Sequence, residues 1–527
     1  MGEFETGIIN PTKKAVFNLA VMNKLISESQ SSLELHLQAL YGRINYERQD
    51  RVRPHQFKLR NMQEILRRLD DPHLKYPVLH VAGTKGKGSV STMLGRILST
   101  SGRRTGVYTS PHLETIHQRM VIDNVPITDQ QLLETLAELK PVIDSMDEDA
   151  KANDHRHLTF FEITTAAALH FFASQNCDAV VLEVGLGGRL DSTNVCQPLT
   201  SIITSISIDH TRQLGETVDK IAFEKAGIIK PTIPVISGAV DSQSAQVIAQ
   251  VAAEKQSPLS VLGRDFEFDD NKSGTERDFS CSGQVGFNVA KEHPVCGDSA
   301  APVGQYHSSH SSYPFHVNNI ELNLIGQHQR ANAAVAIAAI QTLNGRGWNI
   351  SDDEIRTGLA QASLAGRTEV VSLSPAVVVD MAHNVASIHA LVTALKEDFP
   401  AWQSANRRTV ILATSRDKDA PGMLQPLVED FDRVILTRYQ DNPRGIPVDD
   451  LSTIAGEIRN DLKSNLRSAA EIVCEPDPIA AWKQAYGKIC NDELVCITGS
   501  AFLVAELRSI VIEAIAKQRE FENGLKN

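Results

Sequence analysis

Short apolar runs alternate with amphipathic segments along most of the chain, an order typical of α/β folds. The clearest unit starts with the mostly apolar run 78–81 and passes through a glycine-rich turn. It ends in a segment whose apolar residues have helical spacing: Met93, Leu94, Ile97 and Leu98. Uniformly apolar short runs are typical of strands buried on both faces of a parallel sheet. The pattern therefore predicts a strand, a tight turn and a helix.

The same alternation recurs in two blocks. The first block has runs that predict strands at 78–81, 105–110, 179–184, 201–206 and 233–237. The second starts near Gly366 and predicts strands at 376–380, 409–413, 433–437, 471–474 and 494–498. We therefore expect an N-terminal lead-in over 1–32, a large α/β domain over 33–364 and a smaller α/β domain over 365–527.

Helices are predicted between these strands by apolar spacing and by capping residues. Thr128 is a favourable N-cap and predicts a helix that ends at about Leu139. Helical spacing also covers 33–41, 57–69 and 218–226, and an alanine-rich run predicts a helix over 330–343.

The segment at about 265–318 is rich in Ser, Gly, Asp and His, so we predict an irregular insertion with little core. His307, His310 and His316 in this segment could form a metal cluster. A solvated polar loop is the interpretation that we favour.

The composition limits the classes of partner. The chain has 527 residues, of which 42% are hydrophobic and 22% charged, and its net charge is −12. A net negative charge argues against nucleic acid or an anionic membrane as the main partner, so an anionic substrate must meet local cations. The seven cysteines include no C-x-x-C pair, which indicates neither a disulfide framework nor a zinc site. Without a signal pattern or membrane span, we expect a cytoplasmic enzyme.

The turn after the first strand has the composition of a phosphate-binding loop. It consists of Gly83, Thr84, Lys85, Gly86, Lys87, Gly88 and Ser89. Glycines let backbone N–H groups close around phosphate oxygens, and a following helix adds its positive N-terminus. Lys87 would reach the terminal phosphates, and Ser89 or a neighbouring hydroxyl would reach a magnesium ion. The loop is one residue shorter than G-x-x-x-x-G-K-[ST], and Gly88 separates lysine from serine. A lysine-rich surface turn is the alternative, but the flanking strand and helix favour nucleotide binding.

Three polar residues follow other predicted strands and should lie at the same edge of the sheet: Ser110, Glu183 and His210. Two oxygen ligands and an imidazole could bind hard cations. A lone glutamate in a strand is usually a paired structural residue, whereas three such strand ends beside a phosphate loop favour a metal site. The turn 185–190 resembles a dinucleotide fingerprint, but Leu190 replaces its third glycine, so we reject NAD binding.

Two further candidates are less specific. Lys225 follows Glu224 on an amphipathic helix, and nothing local distinguishes it from an exposed helix lysine. Asp380, His383 and Asn384 end the first strand of the second domain. They could contact the nucleotide or a closing domain, or they could form only a structural cap.

Ten motifs appear in one order over roughly 33–510, and together they resemble the folylpolyglutamate synthase/dihydrofolate synthase family, relatives of the Mur ligases. They are HVAGTKGKGS (80–89), TSPHL (109–113), LTFFE (158–162), LEVGLGGRLDSTN (182–194), SIDHT (207–211), FEKAGI (223–228), GQHQRANA (326–333), GRTE (366–369), DMAHN (380–384) and TGSAFLV (498–504). The GGRLDSTN motif is similar to bacterial bifunctional members. Lys85, where many bacterial members have asparagine, differs from them.

The resemblance implies a P-loop-type ATPase domain with a mostly parallel sheet and a smaller, Rossmann-like α/β domain. It also implies ATP-dependent addition of L-glutamate to folate, and to dihydropteroate in bifunctional members, through an acyl phosphate. Monofunctional folylpolyglutamate synthesis remains an alternative. A Mur-type ligase for UDP-muramyl substrates is disfavoured by LTFFE and GGRLDSTN, and a GTPase by the lack of an N-K-x-D motif. We expect a monomer.

The resemblance also implies roles for individual residues. Ser110 and Glu183 would bind one magnesium ion, and His210 and a carbamylated Lys225 a second. ATP would be held by Asn332, Arg367, Asp380 and His383. The pterin and folate side would be lined by Thr159, Phe161, Arg189 and Asp191.

Overall fold

Two large β-sheets covered by helices organise the described residues, which also form a small three-stranded sheet. The computed structural model describes residues 32–45, 59–153, 155–208, 211–270, 277–281, 315–440, 442–463, 470–487 and 489–524. The predicted lead-in therefore lies outside the described residues, apart from residue 32. No helix in these ranges is long and apolar enough to cross a bilayer.

The first sheet has eight strands. In chain order, β1 to β8 are Val78–Ala82, Thr105–Tyr108, Met120–Ile122, Val125–Pro126, Ala179–Glu183, Pro198–Ile203, Val235–Ser237 and Leu259–Val261. Their order in the sheet is β4-β3-β2-β5-β1-β6-β7-β8. The central strand β1 pairs in parallel with β5 on one side and β6 on the other. The carboxyl ends of these three strands therefore meet at one edge, where α/β proteins build their sites.

In the part of the chain that the structure describes, ten α-helices accompany this sheet. In chain order, α1 to α10 are 32–41, Arg60–Arg68, Lys87–Thr100, Asp129–Ala152, Phe160–Ser174, Thr211–Leu214, Val218–Ala226, Ser242–Glu254, Gln327–Asn344 and Asp352–Gln361. Sequence patterns did not predict α6, α8 or α10, nor the strands β3, β4 and β8. Helix α4 begins at its predicted cap but runs on to Ala152, past Pro141. The helix continues because Ile143, Met146 and Ala150 remain buried, which outweighs the proline's lost hydrogen bond.

The segment at about 265–318 is more ordered at its ends than we predicted. Strands β9 (Glu267–Asp270), β10 (Arg277–Cys281) and β11 (Phe315–Val317) form a small antiparallel sheet. Phe266 and Val317 are buried in the core beneath the first sheet. The prediction of little core is therefore wrong at both ends, because a few apolar residues are hidden among polar ones. His316 is exposed on β11, whereas His307 and His310 lie outside the described residues.

The second sheet has six strands. They are β12 to β17, at Glu369–Leu373, Ala376–Val379, Arg407–Leu412, Arg433–Leu436, Glu471–Cys474 and Glu493–Thr498. Their order is β12-β13-β17-β14-β15-β16, and every pair is parallel except the antiparallel edge pair β12–β13. Among the described residues, six α-helices surround them: α11 to α16, at Val385–Asp398, Pro400–Ser404, Ala420–Asp430, Val448–Lys463, Pro478–Tyr486 and Ala501–Gly524. The α/β class and the mostly parallel sheets are confirmed; β12 was not predicted.

The small antiparallel sheet leads to a stability prediction. Cys281 and Phe315 are register partners on β10 and β11, so a short hairpin loop can join them. Replacing 282–314 with a four-residue turn should leave the free energy of unfolding within about 1 kcal/mol of the parent, measured by urea denaturation.

Phe266→Ala in the full-length chain is the matched control, because it empties a buried position in the same segment. It should cost about 3–4 kcal/mol. A loss of that size in the shortened chain would show that 282–314 stabilises the fold.

Candidate functional site

The loop after β1 needs glycine at two positions. Gly83 and Gly86 have φ values of 152° and 88°. A Cβ atom at Gly83 would overlap Thr204 Oγ1, and one at Gly86 would overlap Asn332 Oδ1. Helix α3 starts immediately afterwards at Lys87, and its first N–H groups have no intrahelical partners. A glycine turn leading into a free helix N-terminus is an arrangement that binds phosphate.

The chain beyond β6 holds this loop in place. The Thr84 N–H donates to the Ser205 carbonyl at 2.8 Å, and the Thr204 hydroxyl donates to the Lys85 carbonyl at 2.7 Å. The Thr84 hydroxyl donates to the Ser207 carbonyl at 3.2 Å. The loop conformation is thus set by the protein itself. Sequence analysis missed this support, since hydroxyls after a strand are common and no local pattern marks their partners.

Two lysines converge on one backbone oxygen of the loop. Lys87 Nζ donates to the Gly83 carbonyl at 3.2 Å, and Lys225 Nζ donates to the same oxygen at 2.7 Å. Lys225 is only 4% exposed, so the interpretation as an exposed helix lysine is wrong. It lies on the inner face of α7 with Ile221 and Ala222, which are four and three residues earlier.

Glu183 and Ser110 lie beside this loop. Glu183 ends β5, and its Oε2 accepts a hydrogen bond from the Ser110 N–H at 3.2 Å. Its carboxylate oxygens are 3.6 and 3.8 Å from the place where a Cβ of Gly88 would stand. Burial raises the pKa of Glu183 to about 7, although the positive charge of Lys87 opposes the shift. The predicted meeting of Ser110, Glu183 and the phosphate loop is therefore seen, while His210 lies outside the described residues.

The donor set fits a magnesium ion that is completed by substrate and water. Within the described ranges, no group of three or more His, Cys, Asp or Glu side chains is placed to bind a metal. The Ser110 amide is also the one hydrogen-bond donor to Glu183 in those ranges. A buried carboxylate with one hydrogen-bond donor favours nearby cations, and the charges of Lys87, Arg367 and Arg119 already act on it. Mg²⁺ typically takes one or two protein oxygens and fills its other positions with phosphate and water.

The resemblance assigns four residues to ATP. Asn332 and Arg367 lie near the loop and Glu183, whereas Asp380 and His383 hydrogen-bond to or lie against their own part of the backbone. Asn332 on α9 approaches Gly86, and Arg367 is exposed, with a charge that acts on Glu183. Asp380 is buried, and its carboxylate accepts N–H bonds from Thr368 at 2.6 Å and from Ala382 at 2.7 Å. Asp380 thus shapes the turn that carries Arg367. His383 is exposed, and its Nδ1 lies 2.9 Å from the Met381 carbonyl.

Residues assigned to the folate side surround the turn after Glu183. Thr159 caps α5, and its hydroxyl bonds to Glu162 in a capping box. The Phe161 ring packs on Gly185, and Arg189 pairs with Glu224 of α7 at 2.8 Å.

Asp191 is buried, which raises its pKa. It accepts N–H bonds from Leu186 at 2.9 Å and from Thr193 at 3.0 Å. The carboxylate that we expected to face a pterin therefore organises its own turn, and contact of these four residues with substrate stays a prediction.

His80, in the middle of β1, was not selected from the sequence. It is fully buried, and its Nε2 lies 2.8 Å from the Thr193 hydroxyl, which in turn donates to Asp191 at 2.6 Å. Because the Thr193 proton goes to Asp191, Nε2 of His80 must carry the proton in this contact. Burial lowers the pKa of His80 to about 3, so the ring is neutral. The available signal was a polar residue inside an otherwise apolar strand.

Two Mur ligase domain families match this chain. The Mur ligase middle domain matches residues 81–340, and the Mur ligase glutamate ligase domain matches residues 366–501. A Bacillus subtilis protein named dihydrofolate synthase/folylpolyglutamate synthase is 32% identical over 455 residues, which are 85% of this chain and 94% of the relative. The chain belongs to the dihydrofolate synthase/folylpolyglutamate synthase family, as the sequence motifs predicted.

Solved structures agree with this assignment. Folylpolyglutamate synthase from Thermotoga maritima superposes with a TM-score of 0.72 at 29% identity and covers 91% of this chain and 96% of its own. An Escherichia coli structure in complex with DHPP and ADP gives a TM-score of 0.66 at 29% identity, covering 88% and 94% of the two chains.

The buried His80 should make stability depend on pH. In the unfolded chain, His80 binds a proton below its ordinary pKa of 6.5. In the folded chain, it stays neutral until the pH falls to about 3. Stability from this residue is therefore complete above pH 6.5 and is lost as the pH falls. Between pH 6.5 and 4.5 the loss should be about 2–3 kcal/mol.

The test compares the free energy of urea unfolding at pH 7.0 and 4.5 for the wild type and His80→Gln. The variant should lose less stability on acidification. His389→Gln changes an exposed histidine on α11 and should keep the wild-type dependence. Equal pH dependence in all three proteins would contradict a neutral His80.

Proposed function

We propose that the protein is an ATP-dependent ligase that adds L-glutamate to folates and also to dihydropteroate. The main support for this proposal is the preformed glycine loop. Its Gly83 carbonyl accepts hydrogen bonds from Lys87 and Lys225 beside the buried Glu183. Family membership over 85% of the chain supplies the reaction class. We also propose that residues 33–364 and 365–527 are its two domains, and that a single chain is the active unit.

The reaction needs activation because a carboxylate has no useful leaving group. In the first step of the proposed reaction, an oxygen of the acceptor carboxylate attacks the γ-phosphorus of ATP. ADP leaves, which gives an acyl phosphate. The amine of glutamate then attacks the acyl carbon, phosphate leaves and the amine proton is lost. The N–H groups at the start of α3 and the Lys87 ammonium would hold the phosphates and stabilise their charge.

Magnesium would be held by Glu183 and Ser110, and it would neutralise phosphate charge during transfer. The proposal of a second ion at His210 and of a carbamylated Lys225 rests on the family motifs. Carbamylation would keep an N–H on Lys225 for the Gly83 carbonyl and add two oxygens that could bind a cation. The contacts of Lys225 are compatible with this chemistry.

Several observations support recognition of the folate end beside the Gly185–Asp191 turn. This turn follows Glu183 directly, and Phe161 and Arg189 lie at its surface, half-buried and exposed respectively. The related B. subtilis protein is named for both activities, which favours the bifunctional proposal. A monofunctional folylpolyglutamate synthase is the alternative.

ADP release in the presence of glutamate tests the proposal directly. Dihydropteroate and tetrahydrofolate should each support turnover, whereas a UDP-muramyl acceptor should not. Lys87→Ala should lower the rate by roughly 100-fold or more, because the terminal phosphates lose a positive charge, while circular dichroism stays unchanged.

Asp147→Asn is a suitable control, since it alters a partly buried ion pair on α4 and should keep the wild-type rate. Turnover with tetrahydrofolate alone would refute the bifunctional proposal. Turnover with the UDP-muramyl acceptor alone would refute the folate assignment.

A further inference from the structure

The loop that carries Ser110 reaches the second sheet. Leu113 packs against the core on one face of that sheet. Its Cδ2 would stand 3.2 Å from a Cβ atom at Gly366, the residue before Arg367. A residue later in the same loop holds its backbone in place: Gln118 Oε1 accepts hydrogen bonds from the N–H groups of Leu113 and Glu114, both at 2.9 Å. This apolar contact brings Glu114 beside the C-terminal helix α16.

Arg508 of α16 joins two carboxylates there. Its Nε and Nη2 donate to the two oxygens of Glu369, both at 2.7 Å. Its Nη1 donates to Glu114 Oε2 at 3.0 Å. The side chains of all three residues are at most 19% exposed, so water screens these interactions less than on an open surface. One guanidinium therefore bridges the two halves of the chain.

Each carboxylate belongs to a segment that carries a candidate site residue. Glu114 lies four residues after Ser110, and its Oε2 also accepts from Gln118 Nε2 at 2.7 Å. Glu369 lies two residues after Arg367, and its Oε2 accepts the Gly366 N–H at 2.8 Å. Movement of Arg508 relative to either carboxylate would therefore change how Ser110 faces Arg367.

The two ion pairs of Arg508, one with Glu369 and one with Glu114, differ in strength; we call them the Glu369 arm and the Glu114 arm. The Arg508–Glu369 pair is bidentate, which is the stronger and more directional geometry. Glu114 makes one bond to the guanidinium, and its buried Oε1 has no hydrogen-bond partner among the residues that the structure describes. A buried unpaired oxygen lowers the net gain of that arm. The Glu114 arm is thus the one that would open first.

We propose that Glu114 and Arg508 form an interdomain latch, in which both are positioning residues that set Ser110 against Arg367. Arg508 stays with Glu369, and its bond to Glu114 forms when the two sheets approach. A nucleotide that contacts both halves binds best to the conformation in which the two sheets lie close together. Weakening the latch therefore lowers the fraction of protein molecules in that binding-competent conformation. The latch proposal rests on the proposed function only in assuming that the ligand bound by both halves is a nucleotide.

Glu114→Gln is the sharpest test, because it removes the charge but keeps the shape and one acceptor oxygen. Asp147→Asn is matched to it: Asp147 is 17% exposed, pairs with Arg43 and lies on α4, away from the latch. Calorimetry with ADP and Mg²⁺ should show a Kd about tenfold higher for Glu114→Gln and an unchanged Kd for Asp147→Asn. With turnover, the KM for ATP should rise more than kcat falls.

Small-angle X-ray scattering of the nucleotide-free proteins separates the latch from the proposed function. Glu114→Gln should have a larger radius of gyration than the wild type or Asp147→Asn. Arg508→Lys keeps a charge without the fork and should also expand the protein, which provides a second variant if the first misfolds. An unchanged radius and an unchanged Kd would overturn the latch. A wild type that binds no nucleotide, yet expands on Glu114→Gln, would refute the proposed function alone.

Discussion

The close approach of the Gly83 loop to the chain beyond β6 is the constraint on which the candidate site depends. Thr204 occupies the space that a side chain at Gly83 would need, and it fixes the Lys85 carbonyl. This packing leaves the Gly83 oxygen between Lys87 and Lys225. The Lys87 ammonium brings a positive charge to this oxygen, which favours an anion nearby. The fold itself thus sets the conformation of this candidate phosphate-binding loop.

A second regularity links the parts of the chain that carry the two large sheets. In each, a buried aspartate faces inward and shapes the turn that presents an arginine: Asp191 for Arg189 and Asp380 for Arg367. Burial raises the pKa of both carboxyls, and backbone N–H bonds oppose that rise. These aspartates act through the loops they shape. Exposed arginines on rigid turns can then meet anionic substrates without long-range attraction from a chain of net charge −12.

Sequence patterns predicted those parts of the site that depend on strand ends. Glu183, Ser110 and the glycine loop come together because β1, β2 and β5 are parallel neighbours, which apolar runs and connection lengths indicate. The support from His80, Thr204 and Ser207 depends on which strands become neighbours, and no local pattern gives that.

Burial was the other quantity that local patterns could not supply. Lys225 reads as a surface residue until α7 is docked on the loop, and the pairing of β9, β10 and β11 joins segments that a long polar stretch separates. The bond from Arg508 to Glu114 joins positions 394 residues apart and is likewise invisible in sequence.

In the proposed reaction, the Gly83 loop holds ATP while its γ-phosphoryl group is transferred to a carboxylate. Tetrahydrofolate or dihydropteroate labelled with ¹⁸O in both oxygens of the reacting carboxylate tests this transfer. After turnover with ATP and glutamate, mass spectrometry of the inorganic phosphate should find one ¹⁸O per molecule, since the oxygen that bridged carbon and phosphorus leaves with phosphorus. Phosphate that contains no ¹⁸O would contradict an acyl phosphate and the account of the site built on it.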